Sequence, residues 1–133
     1  MSKITLGVEH VGLSVKDVKE AATFFLDVLG FSKLGERDDY PAIFVTDGVT
    51  KITLWQVKDP HSATPFNRQE NIGLHHLAFK LENDTALDSL YERMKTVKNV
   101  KIEFSPENLG QGPSRHMMVY GPSGIRLEFI ARK

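Results

Sequence analysis

The chain has 133 residues, 41% of them hydrophobic, which is enough for one core of ordinary size. Its 17 lysines and arginines balance 17 aspartates and glutamates, so no net basic field draws it to nucleic acid. With no cysteine, it has no disulfide, thiolate nucleophile or thiolate metal ligand.

The first ten residues, MSKITLGVEH, lack an apolar h-region, and no apolar run is long enough to span a bilayer. The expectation is a cytoplasmic protein with neither a membrane nor a nucleic-acid partner. GVEHVGLSV (7–15) alternates like a strand and ends at Lys16-Asp17. DVKEAATFFLDVLG (17–30) repeats Val18, Ala21, Ala22, Phe25, Val28 and Leu29 at helical spacing. Asp17 is placed to cap this helix and Gly30 to end it. FSKLGERD, AIFVTDG and KITLWQV follow as strands, with Asp47-Gly48 at the turn between the last two. Residues 58–71 are polar and carry Pro60 and Pro65, which predicts a linker, with His61 solvated.

The same order then recurs. GLHHLAFKLE (73–82) reads as a strand. DTALDSLYERMKTV (84–97) reads as a helix with Leu87, Leu90, Tyr91, Met94 and Val97 on one face. KIEFSP, RHMMVYG and IRLEFIA read as three strands, with Pro122-Ser123-Gly124 in the last turn. Each half is therefore strand, helix, strand, strand, strand, an internal repeat with a period of roughly 66 residues. EHVGLSVKD (9–17) aligns over HHLAFKLEN (75–83), which makes His10 and His76 equivalent. On an alternating strand His75 would face the other way, as a packing or rim residue. The expected fold is α+β: one domain over 1–133, with βαβββ modules at 5–57 and 72–131 joined by linker 58–71.

VEHVGLSVKDVKEAATFFLDVLGF, GLHHLAFKLEN and YGPSGIRLEF together resemble the vicinal oxygen chelate superfamily over nearly the whole chain. That group includes glyoxalase I, fosfomycin-resistance thiol transferases, bleomycin-resistance proteins and extradiol dioxygenases. The resemblance implies curved mixed sheets around a cleft. It also implies a metal site from a first-strand histidine of each half and an acid on the last strand, here His10, His76 and Glu128. A fourth ligand, a glutamate in glyoxalase I, would fall in KITLWQV at Thr53 in one register and at Trp55 in the other. Neither residue is a normal ligand for a divalent ion, which argues against the four-ligand glyoxalase site.

Two imidazoles and one carboxylate suit Fe, Mn, Zn, Ni or Co and leave coordination positions open for a chelating substrate. Similarity to the extradiol dioxygenases points to His116 and Tyr120 as catalytic candidates near the metal. Tyr120 lies two residues closer to the ligand acid than the dioxygenase tyrosine does. The expected function is a divalent-metal-dependent enzyme acting on a small oxygen-chelating metabolite, with a dioxygenase reaction favoured. The alternatives are a glyoxalase-type lyase or isomerase, and a metal-free drug- or metabolite-binding protein. A homodimer is expected, because members of this kind often close their half-sheets between subunits.

Overall fold

A computed structural model describes residues 2–133. The chain forms two compact units, 1–63 and 64–133.

In the first unit, β1 (Val11–Val15) leads into α1 (Val18–Thr23), which continues as a π-helical turn over Phe24–Val28. Asp17 caps α1 by accepting from the backbone N–H groups of Lys19 and Glu20 at 3.0 and 3.1 Å. Gly30, at φ +76°, ends the helix, and the N–H of Phe31 returns to the carbonyl of Phe25 at 2.9 Å. The sequence predicts one regular helix here. The π turn replaces its last part, and the adjacent rings of Phe24 and Phe25 are both buried, edge to face at 5.5 Å. Then come β2 (Ser32–Arg37), β3 (Ala42–Thr46) and β4 (Lys51–Gln56). The sheet order is β1-β4-β3-β2, with β1 parallel to β4 and the other pairs antiparallel. The β3–β4 turn is held by Asp47, which accepts from the N–H groups of Val49 and Thr50, while Gly48 takes φ +93°.

The second unit repeats the plan. Its elements are β5 (Leu77–Lys80), α2 (Asp84–Met94), β6 (Lys101–Asn108), β7 (Arg115–Tyr120) and β8 (Arg126–Ala131). The order is β5-β8-β7-β6, again with the first and last strands parallel. Asn83 caps α2 through the Ala86 N–H at 2.9 Å. The helix stops at Met94, three residues short of the sequence expectation, in turns where Thr96 donates to the Arg93 carbonyl. Before β8, Ser123 and Gly124 both take left-handed conformations.

These are the two four-stranded mixed sheets of a paired βαβββ plan, and neither closes into a barrel. The two faces of each sheet differ. Leu13, Val15, Ile43, Val45, Ile52 and Leu54 are buried on the face that meets α1. Phe79, Met117, Val119, Leu127 and Phe129 do the same under α2, joined by Leu87 and Met94 of the helix. Each such side chain contributes about 2 kcal/mol through burial. The opposite faces carry Gly12, Phe44, Thr53 and Trp55 in one unit, and His116, Met118, Tyr120, Arg126 and Glu128 in the other.

Two strands are shorter than the sequence implies. Pairing of β1 begins at Val11↔Ile52 and that of β5 at Leu77↔Leu127. His10, His75 and His76 therefore stand just ahead of the strands, where no neighbouring strand holds the backbone. Alternation does not assign their directions. Local hydrogen bonds do.

Candidate functional site

Glu128 lies in the middle of β8 and is only 9% exposed. A buried carboxylate needs partners, and Glu128 has two imidazoles. His116 Nδ1 lies 2.5 Å from Oε2, a charge-assisted hydrogen bond, and its ring packs edge-on against Phe104. His76 Nε2 lies 3.3 Å from Oε1.

The protons around His76 follow from its neighbours. Arg126 can only donate, and its Nη1 points at His75 Nδ1 at 3.3 Å. That nitrogen must therefore be an acceptor. His76 Nδ1, 2.8 Å from the same atom, must then be the donor. A neutral His76 so arranged presents the lone pair of Nε2 towards Oε1 of Glu128. Two acceptors face each other across a short gap, and a proton or a cation between them relieves the repulsion. Two ligands on one divalent ion stand roughly 3 Å apart, so the spacing and the donor set both fit a metal. The pKa of His75 is lowered, by desolvation first and by Arg126 next, which keeps the ring neutral.

His10 is oriented in a matching way. Its Nδ1 donates to Oε1 of Glu9 at 2.6 Å, leaving Nε2 outward. Lys51 holds the other oxygen of Glu9 at 3.2 Å. The Glu9 pKa is lowered, by the His10 hydrogen bond first and by Lys51 next. In both units, then, the residue before the histidine fixes the ring through Nδ1. Among the described residues no three His, Asp or Glu side chains are gathered into a set that could hold a metal. His76 and His116 each contact Glu128 within the second unit, one on each carboxylate oxygen, and His10 belongs to the first.

The register decides which residue of KITLWQV corresponds to Glu128. Thr53 pairs with Gly12 and Glu128 with Ala78, each one step into the parallel strand pair. Thr53 is therefore the equivalent residue. Its hydroxyl donates to the Val11 carbonyl at 3.4 Å and accepts from the indole N–H of Trp55 at 3.0 Å. Trp55 is ringed by Tyr40, Phe44 and the Arg37 guanidinium. This face of the first sheet is apolar and aromatic where that of the second is charged.

Tyr120 shares the Glu128 face but is engaged elsewhere. Its hydroxyl accepts from Arg68 Nη1 at 2.6 Å. Beside it Arg126, only 6% exposed, makes two 2.9 Å hydrogen bonds to Glu103. Those bonds, chiefly, lower the Glu103 pKa to about 2. Neither Arg68 nor the Arg126–Glu103 pair figures among the sequence candidates. Arg126 had a legible signal, since Arg126 and Glu128 put two charges on one face of an otherwise apolar strand. Arg68, in a polar loop, had none.

The family model of the Glyoxalase/Bleomycin resistance protein/Dioxygenase superfamily matches residues 7–129. No curated protein matches. Among solved structures, a glyoxylase/bleomycin resistance protein/dioxygenase domain from Frankia sp. EAN1pec is 23% identical with a TM-score of 0.82, over 97% of this chain and 93% of that one. A mutant of the fosfomycin resistance protein FosX from Listeria monocytogenes, complexed with Mn(II) and a dihydroxypropylphosphonic acid, is 18% identical with a TM-score of 0.78, over 98% and 95%. Lactoylglutathione lyase from Agrobacterium tumefaciens is 18% identical with a TM-score of 0.70, over 97% and 96%. At these identities the likeness carries the fold.

Proposed function

Because the chain belongs to the Glyoxalase/Bleomycin resistance protein/Dioxygenase superfamily, we propose that it is a divalent-metal-dependent enzyme acting on a small metabolite that chelates through two oxygens. The observation carrying this reading is the buried Glu128 carboxylate, whose Oε1 faces a lone pair on His76 Nε2 at 3.3 Å. The FosX relative bound to Mn(II) supports it at the level of the family. His76 and Glu128 are two of the ligands, and His10 is the third. When bound, the metal supplies Lewis acidity to the chelating oxygens and, in the favoured dioxygenase reaction, a place for dioxygen beside them.

This chain's own residues supply the proton chemistry. His116 is held by its Nδ1 against Glu128, so Nε2 is the atom that takes or gives a proton. Arg126, through His75, keeps His76 in the tautomer that offers Nε2. Tyr120, fixed by Arg68, lines the substrate side of the same sheet face.

Metal analysis of protein purified without added metal, then of single variants, tests the reading. His10→Ala, His76→Ala and Glu128→Ala each lose the metal. His75→Ala keeps it, weakened by about ten- to a hundredfold, because His75 orients a ligand without being one. Retention of metal in His76→Ala with loss in His75→Ala would reverse the assignment. A wild-type protein that takes up no divalent metal would leave a metal-free binding protein instead. For the dioxygenase preference, Fe(II)-loaded protein is expected to consume oxygen on addition of catechol, and His116→Ala to do so far more slowly. Metal binding without oxygen uptake favours the lyase or isomerase alternative.

A further inference from the structure

The second unit contains a cavity of about 570 Å³ that Glu128 does not line, walled by the 66–69 loop, the 98–101 segment and the turn after β7. Three cations converge on it from two parts of the chain: Arg68, Lys98 and Lys101. No aspartate or glutamate lines it. In a chain whose charges balance overall, three cations and no acid around one concavity is a local excess. Neither lysine forms an ion pair among the described residues.

The nearest carboxylate does not cancel the excess. Glu103 lies 3.7 Å from Arg68 but is already held by two 2.9 Å hydrogen bonds from Arg126. Two guanidinium groups thus share one carboxylate, and the Arg68 charge is only partly met. Its Nη1 is fixed by the Tyr120 hydroxyl, which also lines the cavity, so this cation is held in place. The volume lies within the range of sites that enclose small metabolites.

We propose that this cavity binds a phosphate-bearing small molecule through Arg68, Lys98 and Lys101. Phosphate fits better than a single carboxylate, because its three terminal oxygens can meet a guanidinium from one wall and two ammonium groups from the other. None of the candidate metal ligands lines the cavity, and it needs no metal to form.

The test is calorimetric titration of metal-stripped, full-length protein with inorganic pyrophosphate. Saturable binding with one site per chain, weakening as salt is raised, is expected. The double variant Lys98→Gln/Lys101→Gln is expected to weaken binding about tenfold or more. Both residues are exposed, so the variant should fold, and circular dichroism verifies that. Lys95→Gln is the control: it removes one positive charge, half the change of the double variant, from a lysine that pairs with Glu92 outside the cavity, and binding should not change. Lack of saturable binding by the wild type overturns the proposal. So does a loss in Lys95→Gln in proportion to its charge, about half that of the double variant on a logarithmic scale, which would mean attraction to net charge. Citrate binding as tightly as pyrophosphate would overturn the assignment to phosphate.

Discussion

At the scale of single residues, the second unit concentrates its charge on one sheet face. Glu103 carries the strongest acid perturbation, its pKa lowered from 4.5 to about 2 by the Arg126 hydrogen bonds. A carboxyl group depressed in the folded state stabilises above its unfolded pKa and loses that stabilisation as pH falls through the folded one. Stability is therefore expected to fall between about pH 4.5 and 2, by about 3 kcal/mol at most from this group. Urea titrations of wild type and Glu103→Gln across that window check it, since the variant should lack this part of the acid dependence. Thr53 supports a different expectation. It stands where Glu128 stands in the other unit, and its hydroxyl is occupied by Trp55 and Val11. Metal-loaded protein is thus expected to convert the hemithioacetal of methylglyoxal and glutathione only slowly, and ready conversion would falsify this.

At the scale of elements, the ends of α1 are set by two residues that the sequence marks. Asp17→Ala removes the acceptor for two backbone N–H groups and is expected to cost about 1 kcal/mol. Gly30→Ala forces a Cβ into φ +76° and is expected to cost a similar amount, about 1 kcal/mol. Thermal unfolding of each variant is the measurement, and a cost near zero for either would refute the capping role. The π turn that follows α1 was not legible. The periodicity of residues 17–30 suits a regular helix, and only the shared burial of Phe24 and Phe25 distinguishes the wider turn. The strand starts differ from the sequence expectation for a related reason. Alternation continues upstream of Val11 and Leu77, but pairing requires a partner strand, and β4 and β8 supply one only from those residues onward.

At the scale of the whole molecule, the proposed metal site needs His10 from one unit and His76 with Glu128 from the other. We propose a homodimer in which His10 of one chain meets His76 and Glu128 of its partner, in keeping with symmetric dimers being the commonest oligomers. Half-sheets with open edges also gain from such pairing. Mixing His10→Ala protein with Glu128→Ala protein, followed by subunit exchange, is then expected to restore about a quarter of the metal sites. Half of the dimers are mixed, and each mixed dimer holds one intact site of two. Light scattering that shows a monomer binding metal tightly would rule out the dimer. A dimer without restoration would rule out the shared site. Among the described residues no helix is long and apolar enough to cross a membrane.

The sequence by itself determined the paired βαβββ plan, because hydrophobic period, caps and turn residues act over a few neighbours and each can be read locally. It also made Glu128 a candidate, through the resemblance of YGPSGIRLEF to the superfamily's last strand, and the burial of that carboxylate shows why it calls for a partner. The tertiary structure alone decided what that partner is, because His116 and Glu128 meet only through the antiparallel pairing of β7 with β8. It decided between Thr53 and Trp55 as well, since both share a face and only the strand register tells them apart. The Arg126–His75–His76 chain and the cation-lined cavity were out of reach for the same reason. Each joins residues separated by tens of positions, and hydrogen-bond direction, which sets the tautomer, exists only once those residues are neighbours in space.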